Sequence, residues 1–448
     1  MRARRAACAA AARPGLAGPV SRRARDREPG SRILRPQMPV PRRPAVLAWL
    51  LYDFANSAFA AVIPATVYSK YYALTVVGNA RGEGDFWWGL SVTLSMGLVA
   101  LSSPPLGAIA DHAGVRKRFL ALLTYLSVGA TALMATVGPG DVVWGLLVAV
   151  VGTVGFEGAL VHYNAYLPEL APPDARGRLS AYGFAWGYAG SAAALAAALP
   201  FALAGWPGGA FLVAAALFGI GALPAMRYLP ADRPGPRTLA AAVRGSFAGT
   251  RATLARIWRM PDVRGFLLAY LFFEDGVNTV VFFSSIFAGH TLGFTTPEVI
   301  GLYFLVQLSA LAGAWLWAAP TDRYGPKRVV ACTLVQWCVV VGAAYAVTTK
   351  PQFLVVAVLA GSGLGAVQAA ARALMASLIP RGQEAELFGF YSLCGKTAAV
   401  IGPAIFGTVS RLSGGNQRAA MLSVGVMFLV GLGLLVRVRA GGPAPPAA

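Results

Sequence analysis

The segment Trp49-Leu-Leu-Tyr-Asp53-Phe-Ala-Asn56-Ser-Ala-Phe59 is an apolar run that carries a carboxylate and an amide about one helical turn apart. It recurs far downstream as Tyr270-Leu-Phe-Phe-Glu274-Asp275-Gly-Val-Asn278-Thr279-Val. In each copy an acid (Asp53, Asp275) stands three residues before an Asn (Asn56, Asn278), a small hydroxyl residue follows (Ser57, Thr279), and aromatic residues flank the whole. That spacing puts acid and amide on one helical face. An acid at the centre of a bilayer costs about 3 kcal/mol on insertion scales, so one inside a long apolar segment points to function. Its repetition points to a duplicated architecture with its working side chains where the two copies meet. Adjacent helical residues point about 100° apart, so Glu274 and Asp275 cannot both face that centre. Asp275 aligns with Asp53 and is the expected one.

The surrounding composition sets the class. With 57% hydrophobic and 12% charged residues and a mean hydropathy of +0.61, the chain holds more apolar surface than a water-soluble core can hide. Breaks at charged, Pro and Gly clusters leave twelve apolar segments near 45–73, 87–110, 119–138, 142–166, 179–204, 208–228, 264–288, 298–319, 329–348, 352–377, 387–409 and 418–436. Each is long enough to cross a bilayer as a helix. Strand-like alternation is absent, which argues against a barrel. The expectation is an all-α integral membrane protein of twelve transmembrane helices in two pseudo-symmetric six-helix bundles, 45–228 and 264–437.

A net charge of +20 raises the question of a nucleic-acid partner, and the placement of the cations answers it. They gather in alternate loops: Arg116, Lys117 and Arg118, then Arg176 and Arg178, the central linker, Arg323, Lys327 and Arg328, Arg381, and Arg437 with Arg439. The intervening loops hold little beyond Arg81, Lys350, Arg411 and Arg418. This is the positive-inside pattern of a multi-pass protein with both termini cytoplasmic, and no single basic face is left for nucleic acid. Four Cys and three His, widely scattered, make neither a disulfide framework nor a metal site. Cys332, Cys338 and Cys394 read as small buried apolar residues. No cofactor is expected.

Residues 1–44 read as a basic, disordered tail, being rich in Arg, Ala and Pro and lacking the apolar core of a signal peptide. Met38, just before Pro-Arg-Arg-Pro, is an alternative start; an Arg-rich targeting presequence is the other reading. In the first span Pro64 permits a kink, and Tyr71, Tyr72, Trp87 and Trp88 are expected to form an aromatic interface belt. The second span ends in Gly107-Ala-Ile-Ala-Asp111-His-Ala-Gly114-Val-Arg116-Lys117-Arg118. Here the glycines permit close approach and a tight reversal, and the cations hold the loop at the cytoplasmic face. An echo, Ala318-Ala-Pro-Thr-Asp322-Arg-Tyr-Gly325-Pro-Lys327-Arg328, follows the eighth span. The pair resembles the signature loops of the major facilitator superfamily, with His112 and Val115 replacing the usual basic residues and Ala318 the leading Gly.

Glu157 is a further acid at membrane depth, in a fourth span rich in small residues, and the fifth span sets glycines among aromatics from Gly183 to Gly190. Residues 229–263 form the longest connection, in which Val243, Phe247, Leu254 and Trp258 are interleaved with arginines. It reads either as a solvated linker or as a basic amphipathic helix on the cytoplasmic leaflet. In the second half come Gln307, then Gly361-Ser-Gly363-Leu-Gly365 ahead of Gln368 and Arg372. Arg372 is read as snorkelling or as bracing the cytoplasmic gate. Lys396 lies too deep in the eleventh span to snorkel and calls for a carboxylate partner or a substrate anion. Residues 438–448 read as a second disordered tail.

Tyr52-Asp53-Phe-Ala-Asn56-Ser57, Arg178-Leu-Ser-Ala-Tyr-Gly183-Phe-Ala-Trp-Gly187-Tyr188 and Leu378-Ile-Pro-Arg381-Gly-Gln-Glu-Ala-Glu386-Leu-Phe388-Gly389-Phe390-Tyr391 resemble one branch of that superfamily. It is the branch of the autophagy-linked vacuolar amino-acid effluxer and its bacterial relatives. The resemblance runs from about residue 45 to 437 and implies a monomeric alternating-access carrier of a small polar solute, an amino acid among the candidates, most naturally proton-coupled and in a bacterial inner membrane. On that reading Asp53, Asn56, Glu157, Glu274, Asp275, Asn278, Gln368 and Lys396 line the substrate or proton pathway, and Asp53 pairs with Lys396 if its role is structural. Gly107, Asp111, Gly114, Arg116, Lys117, Asp322, Gly325, Lys327 and Arg372 serve gating and the signature loops. The alternatives are a drug or metabolite exporter, although the fifth span lacks the Gly-Pro signature of many drug-proton antiporters, and a transport-inactive receptor on the same fold. An enzyme is disfavoured, because no His stands five residues before an Asp and no catalytic domain interrupts the spans.

Overall fold

The structure, a computed structural model, describes residues 43–111, 115–171, 176–232, 238–379 and 384–439. Met38, His112, Gly114, Arg381, the terminal segments through 42 and from 440, and the side chains of Asp111, Arg176 and Arg178 lie outside the described residues. Twelve helices are long and apolar enough to cross a membrane, and they are numbered here as spans 1 to 12: Arg43–Val77, Glu83–Ile109, Arg116–Thr136, Val142–Asn164, Tyr182–Leu203, Pro207–Tyr228, Pro261–Leu292, Thr296–Tyr324, Pro326–Ala346, Lys350–Leu378, Leu387–Leu412 and Gln417–Val436. A linker helix, Leu239–Trp258, connects spans 6 and 7.

The two halves repeat the same packing. Span 1 lies against 5 and 6, span 3 against 4 and 6, and span 2 against 4; in the second half span 7 packs on 11 and 12, span 9 on 10 and 12, and span 8 on 10. Glycines set the closest approaches. A methyl group at Gly361 would stand 2.6 Å from the Val306 carbonyl oxygen, and one at Gly365, a turn later, would overlap the backbone of Ala310, so span 10 is bound to span 8 along a small-residue stripe. The signature loops repeat as well. Lys117 Nζ donates to the Leu229 carbonyl at 2.9 Å, at the end of span 6; Lys327 Nζ donates to the Val436 and Val438 carbonyls at 3.0 and 2.7 Å, at the end of span 12. Each lysine thereby satisfies carbonyls that a helix terminus leaves open. Arg116 forms an ion pair with Glu169, and Gly325 makes its turn at φ +85°, a backbone region open to glycine without strain. Asp322 sits in the last helical turn before it.

Three sequence expectations are corrected. Gly107 has nothing within 4 Å of the methyl group it lacks, so in this conformation it mediates no close helix contact. Two of the four aromatics expected in the interface belt are interior packing: Tyr72 and Trp88 are buried, Tyr72 Oη donates to the Val142 carbonyl at 2.8 Å, and Trp88 Nε1 donates to the Phe282 carbonyl at 3.0 Å. Cys332 faces outward, where Cys394 is buried. A polar residue count cannot distinguish a lipid-facing aromatic from one that fills the seam between two spans.

Hydrogen bonds joining the halves gather at the end away from the linker helix. Ser69 and Ser285 hydroxyls meet at 2.9 Å, and Lys70 Nζ donates to the Phe294 carbonyl at 2.6 Å. Asp85, fully buried, accepts from Ser410 Oγ at 2.5 Å and from Gln417 Nε2 at 2.8 and 3.0 Å. On the other side, the aromatics Tyr182, Phe184 and Tyr188 of the span 5 helix remain exposed. The halves are thus sealed at the end away from the linker helix and looser towards the linker side.

Candidate functional site

At mid-depth the first repeat forms a compact cluster. Asn56 Nδ2 donates to Asp53 Oδ1 at 3.4 Å, and Ser57 Oγ donates to the Asp53 carbonyl at 2.8 Å. Trp49 and Tyr52 stack on Tyr163 of span 4, with ring centroids at 4.6 and 4.9 Å. Trp49 Nε1 also donates to the Tyr163 carbonyl at 3.2 Å. The Tyr163 hydroxyl comes beside Asp53 but, though buried, meets no acceptor at full hydrogen-bond geometry. Span 5 makes room for the acid: a methyl group at Gly183 would come 3.0 Å from Asp53 Oδ2, and one at Gly187 would come 2.9 Å from Ser57 Oγ.

The second repeat preserves the local bond, Thr279 Oγ1 donating to the Asp275 carbonyl at 2.7 Å, but its acid is used differently. Span 11 is interrupted between the helices Glu384–Thr397 and Ile401–Leu412. Both Asp275 oxygens lie at 3.0 and 2.9 Å from the Gly402 N–H, which opens the second helix. A helix N-terminus exposes unpaired N–H groups and a partial positive charge, so a buried carboxylate is well placed there. Asn278 Nδ2 takes the other side of the gap, donating to the Ala398 carbonyl at 2.7 Å. Gly402 is obligatory for this approach, because a methyl group there would stand 2.8 Å from Asp275 Oδ1. Asp275 therefore caps an interrupted helix, whereas Asp53 lies between Asn56 and the glycine face of span 5. Glu274 takes the functional-looking position: its Oε1 accepts from Gln368 Nε2 at 2.6 Å, and its buried Oε2 has no donor.

The expected Asp53–Lys396 pair does not form. Lys396, in the last turn before the interruption, reaches across to span 4 and binds Glu157 Oε2 at 2.9 Å, with a second donation to the Glu157 carbonyl at 3.3 Å. Both side chains are about one-fifth exposed, 22% for Lys396 and 18% for Glu157, so the ion pair borders open space. Arg372 is exposed and lies over the Phe184 ring of the opposite half at 5.7 Å. A cavity of about 140 Å³, lined mostly by the second half, reaches from Ala65 of span 1 past Ser285, Tyr303 and Gln307 to Trp337.

Sequence reading missed the span 11 interruption and the tyrosines around the acids, among them Tyr270 and Tyr391, stacked at 4.4 Å. One signal was present. Pro403 lacks the N–H that would bond the Ala399 carbonyl, and Gly402 precedes it.

Twelve spans in two equivalent halves, with acids and a lysine meeting between them at mid-depth, define a membrane transporter of the major facilitator type. The family described as vacuole effluxer Atg22 like matches residues 89–441, and the chain belongs to that family. It is 29% identical over 404 residues to an uncharacterized MFS-type transporter, YxiO, of Bacillus subtilis, spanning 87% of this chain and 94% of that protein. It is 30% identical to the autophagy-related protein 22 of Cryptococcus neoformans over 199 residues, 41% of this chain and 35% of that protein. Among solved structures, a D-xylose-proton symporter aligns with a TM-score of 0.65 at 17% identity, covering 88% of this chain and 97% of that one. A bacterial homolog of the human lysosomal transporter Spinster, in an inward-facing and occupied conformation, aligns with 0.64 at 14% identity, covering 90% and 98%. At these identities the likeness concerns the fold.

Proposed function

We propose that the chain is a proton-coupled secondary transporter of a small solute bearing both charges, an amino acid being the simplest, with both termini on the cytoplasmic side of a bacterial inner membrane. The observation that carries this reading is the Glu157–Lys396 ion pair, which joins the halves at mid-depth and borders open space. A zwitterion offers each partner a replacement: its ammonium binds Glu157 and its carboxylate binds Lys396. Removing one partner from a buried pair is costly, whereas exchanging it for an equivalent charge is not. Solute binding thus releases the link between the halves without stranding a charge. Asp53, with Asn56 and the glycine face of span 5 beside it, offers a second ammonium site.

Glu274 supplies the proton step. A buried carboxyl with one oxygen held by Gln368 and the other without a donor is suited to take up a proton and to release it once water reaches it. The test is counter-flow and pH-gradient-driven accumulation in proteoliposomes with an amino-acid mixture. Glu274→Gln keeps exchange but loses accumulation driven by the pH gradient, and Lys396→Ala loses both. Full gradient-driven accumulation by Glu274→Gln would refute the coupling role; unaltered exchange by Lys396→Ala would refute the solute site.

A further inference from the structure

The linker helix Leu239–Trp258 wears its amphipathicity inside out. Its buried positions are small or single aliphatic residues, Ala242 and Ile257, whereas Phe247, Leu254 and Trp258 are 55%, 42% and 57% exposed. Arg244 and Arg251 are exposed as well. At 3.6 residues per turn, Arg244, Phe247, Arg251, Leu254 and Trp258 fall within an arc of about 80°, so cations and large apolar groups share one stripe. A helix bathed in water would turn that stripe inward. The helix also emerges between spans 6 and 7, on the membrane side that carries the signature-loop cations Lys117 and Lys327. Its inner face packs along span 2 of the first half and touches spans 7 and 11 of the second. Trp258 is held outward from the span 7 helix: Arg264 Nη1 donates to its carbonyl at 3.2 Å, and the Arg264 guanidinium lies 5.2 Å from its ring centre.

We infer that this stripe is a binding surface for anionic phospholipid headgroups of the cytoplasmic leaflet. Arginines are drawn to phosphate there, and the aromatic and leucine side chains enter the headgroup–acyl boundary between them. The helix is thereby a strap whose outer face rests on lipid while its inner face spans both halves.

The test uses the full chain with Leu254→p-benzoylphenylalanine, photolysed in phosphatidylcholine vesicles with and without about 30% phosphatidylglycerol, and in native membranes; adducts are identified by mass spectrometry. Expected is a ratio of phosphatidylglycerol to phosphatidylcholine adducts at least fivefold above the ratio of the two lipids in the bilayer, falling as salt is raised. The same probe in an Arg244→Gln, Arg251→Gln background should return that ratio to the bilayer's own, a loss of about fivefold or more, since each cation near an anionic surface is worth about fivefold. Adducts in the bilayer's own proportion, or an enrichment indifferent to the two arginines, would overturn headgroup recognition. A protein adduct in native membranes without a lipid adduct would overturn the lipid surface in favour of a protein partner.

Discussion

Two adjacent acids, Glu274 and Asp275, divide structural and chemical work between them. Asp275→Ala leaves the Gly402 N–H buried without an acceptor, at a cost of about 1–3 kcal/mol. Thermal unfolding in detergent should register it as a melting point lower by several degrees. Glu274→Gln keeps an acceptor for Gln368 and can no longer place a charge in the buried site, so its melting point should hold or rise. The opposite ordering would reverse the two assignments. The repeated acid, Asn and hydroxyl pattern was legible in the sequence, as was the need of Lys396 for a carboxylate. What each acid touches was not legible. Asp275 differs from Asp53 only because span 11 breaks where span 5 continues, and Lys396 selects Glu157 over Asp53 through the relative placement of two halves distant in the chain.

Among whole helices, the sequence places all twelve spans within a few residues, because each must satisfy its own backbone over the same hydrocarbon thickness. Glycine roles were less legible, since a Gly in sequence does not say whether a neighbour is close. Gly107 and Gly365 separate the two cases. Gly107→Ala meets nothing within 4 Å and replaces glycine inside a helix, so stability should be unchanged or higher by about 0.5–1 kcal/mol. Gly365→Val, by contrast, drives a branched side chain into the backbone of Ala310 on span 8. A cost of about 1–3 kcal/mol or more is expected from overpacking. Melting curves of the two variants, prepared in parallel, would contradict this account if Gly107→Ala were the more damaged.

For the molecule as a whole, the two halves close against each other at the end away from the linker helix, the outer end on the proposed orientation, and which end is shut could not be read from either half alone. Asp85 is the centre of that closure, a span 2 carboxylate held by Ser410 and Gln417 on the second half. Outward opening must break these bonds together, and hydrogen bonds to a charged group are worth about 1.5–3 kcal/mol each. Asp85→Ala removes them at once and should shift the equilibrium towards an outward-open state by at least tenfold. Ser285 reports on it: the residue is 1% exposed and is joined across the seam to Ser69. In a background with the natural cysteines replaced, Ser285→Cys should react slowly with a membrane-impermeant thiol reagent added outside, and at least ten times faster when combined with Asp85→Ala. A rate unchanged by the second substitution would mean that Asp85 does not hold the outer end shut and that the Lys70 and Trp88 contacts suffice. On the proposed orientation and solute site, a carrier shut at its outer end offers that site mainly to the inside, so the same substitution should raise the affinity for solute presented from outside while leaving the Glu157–Lys396 pair chemically intact.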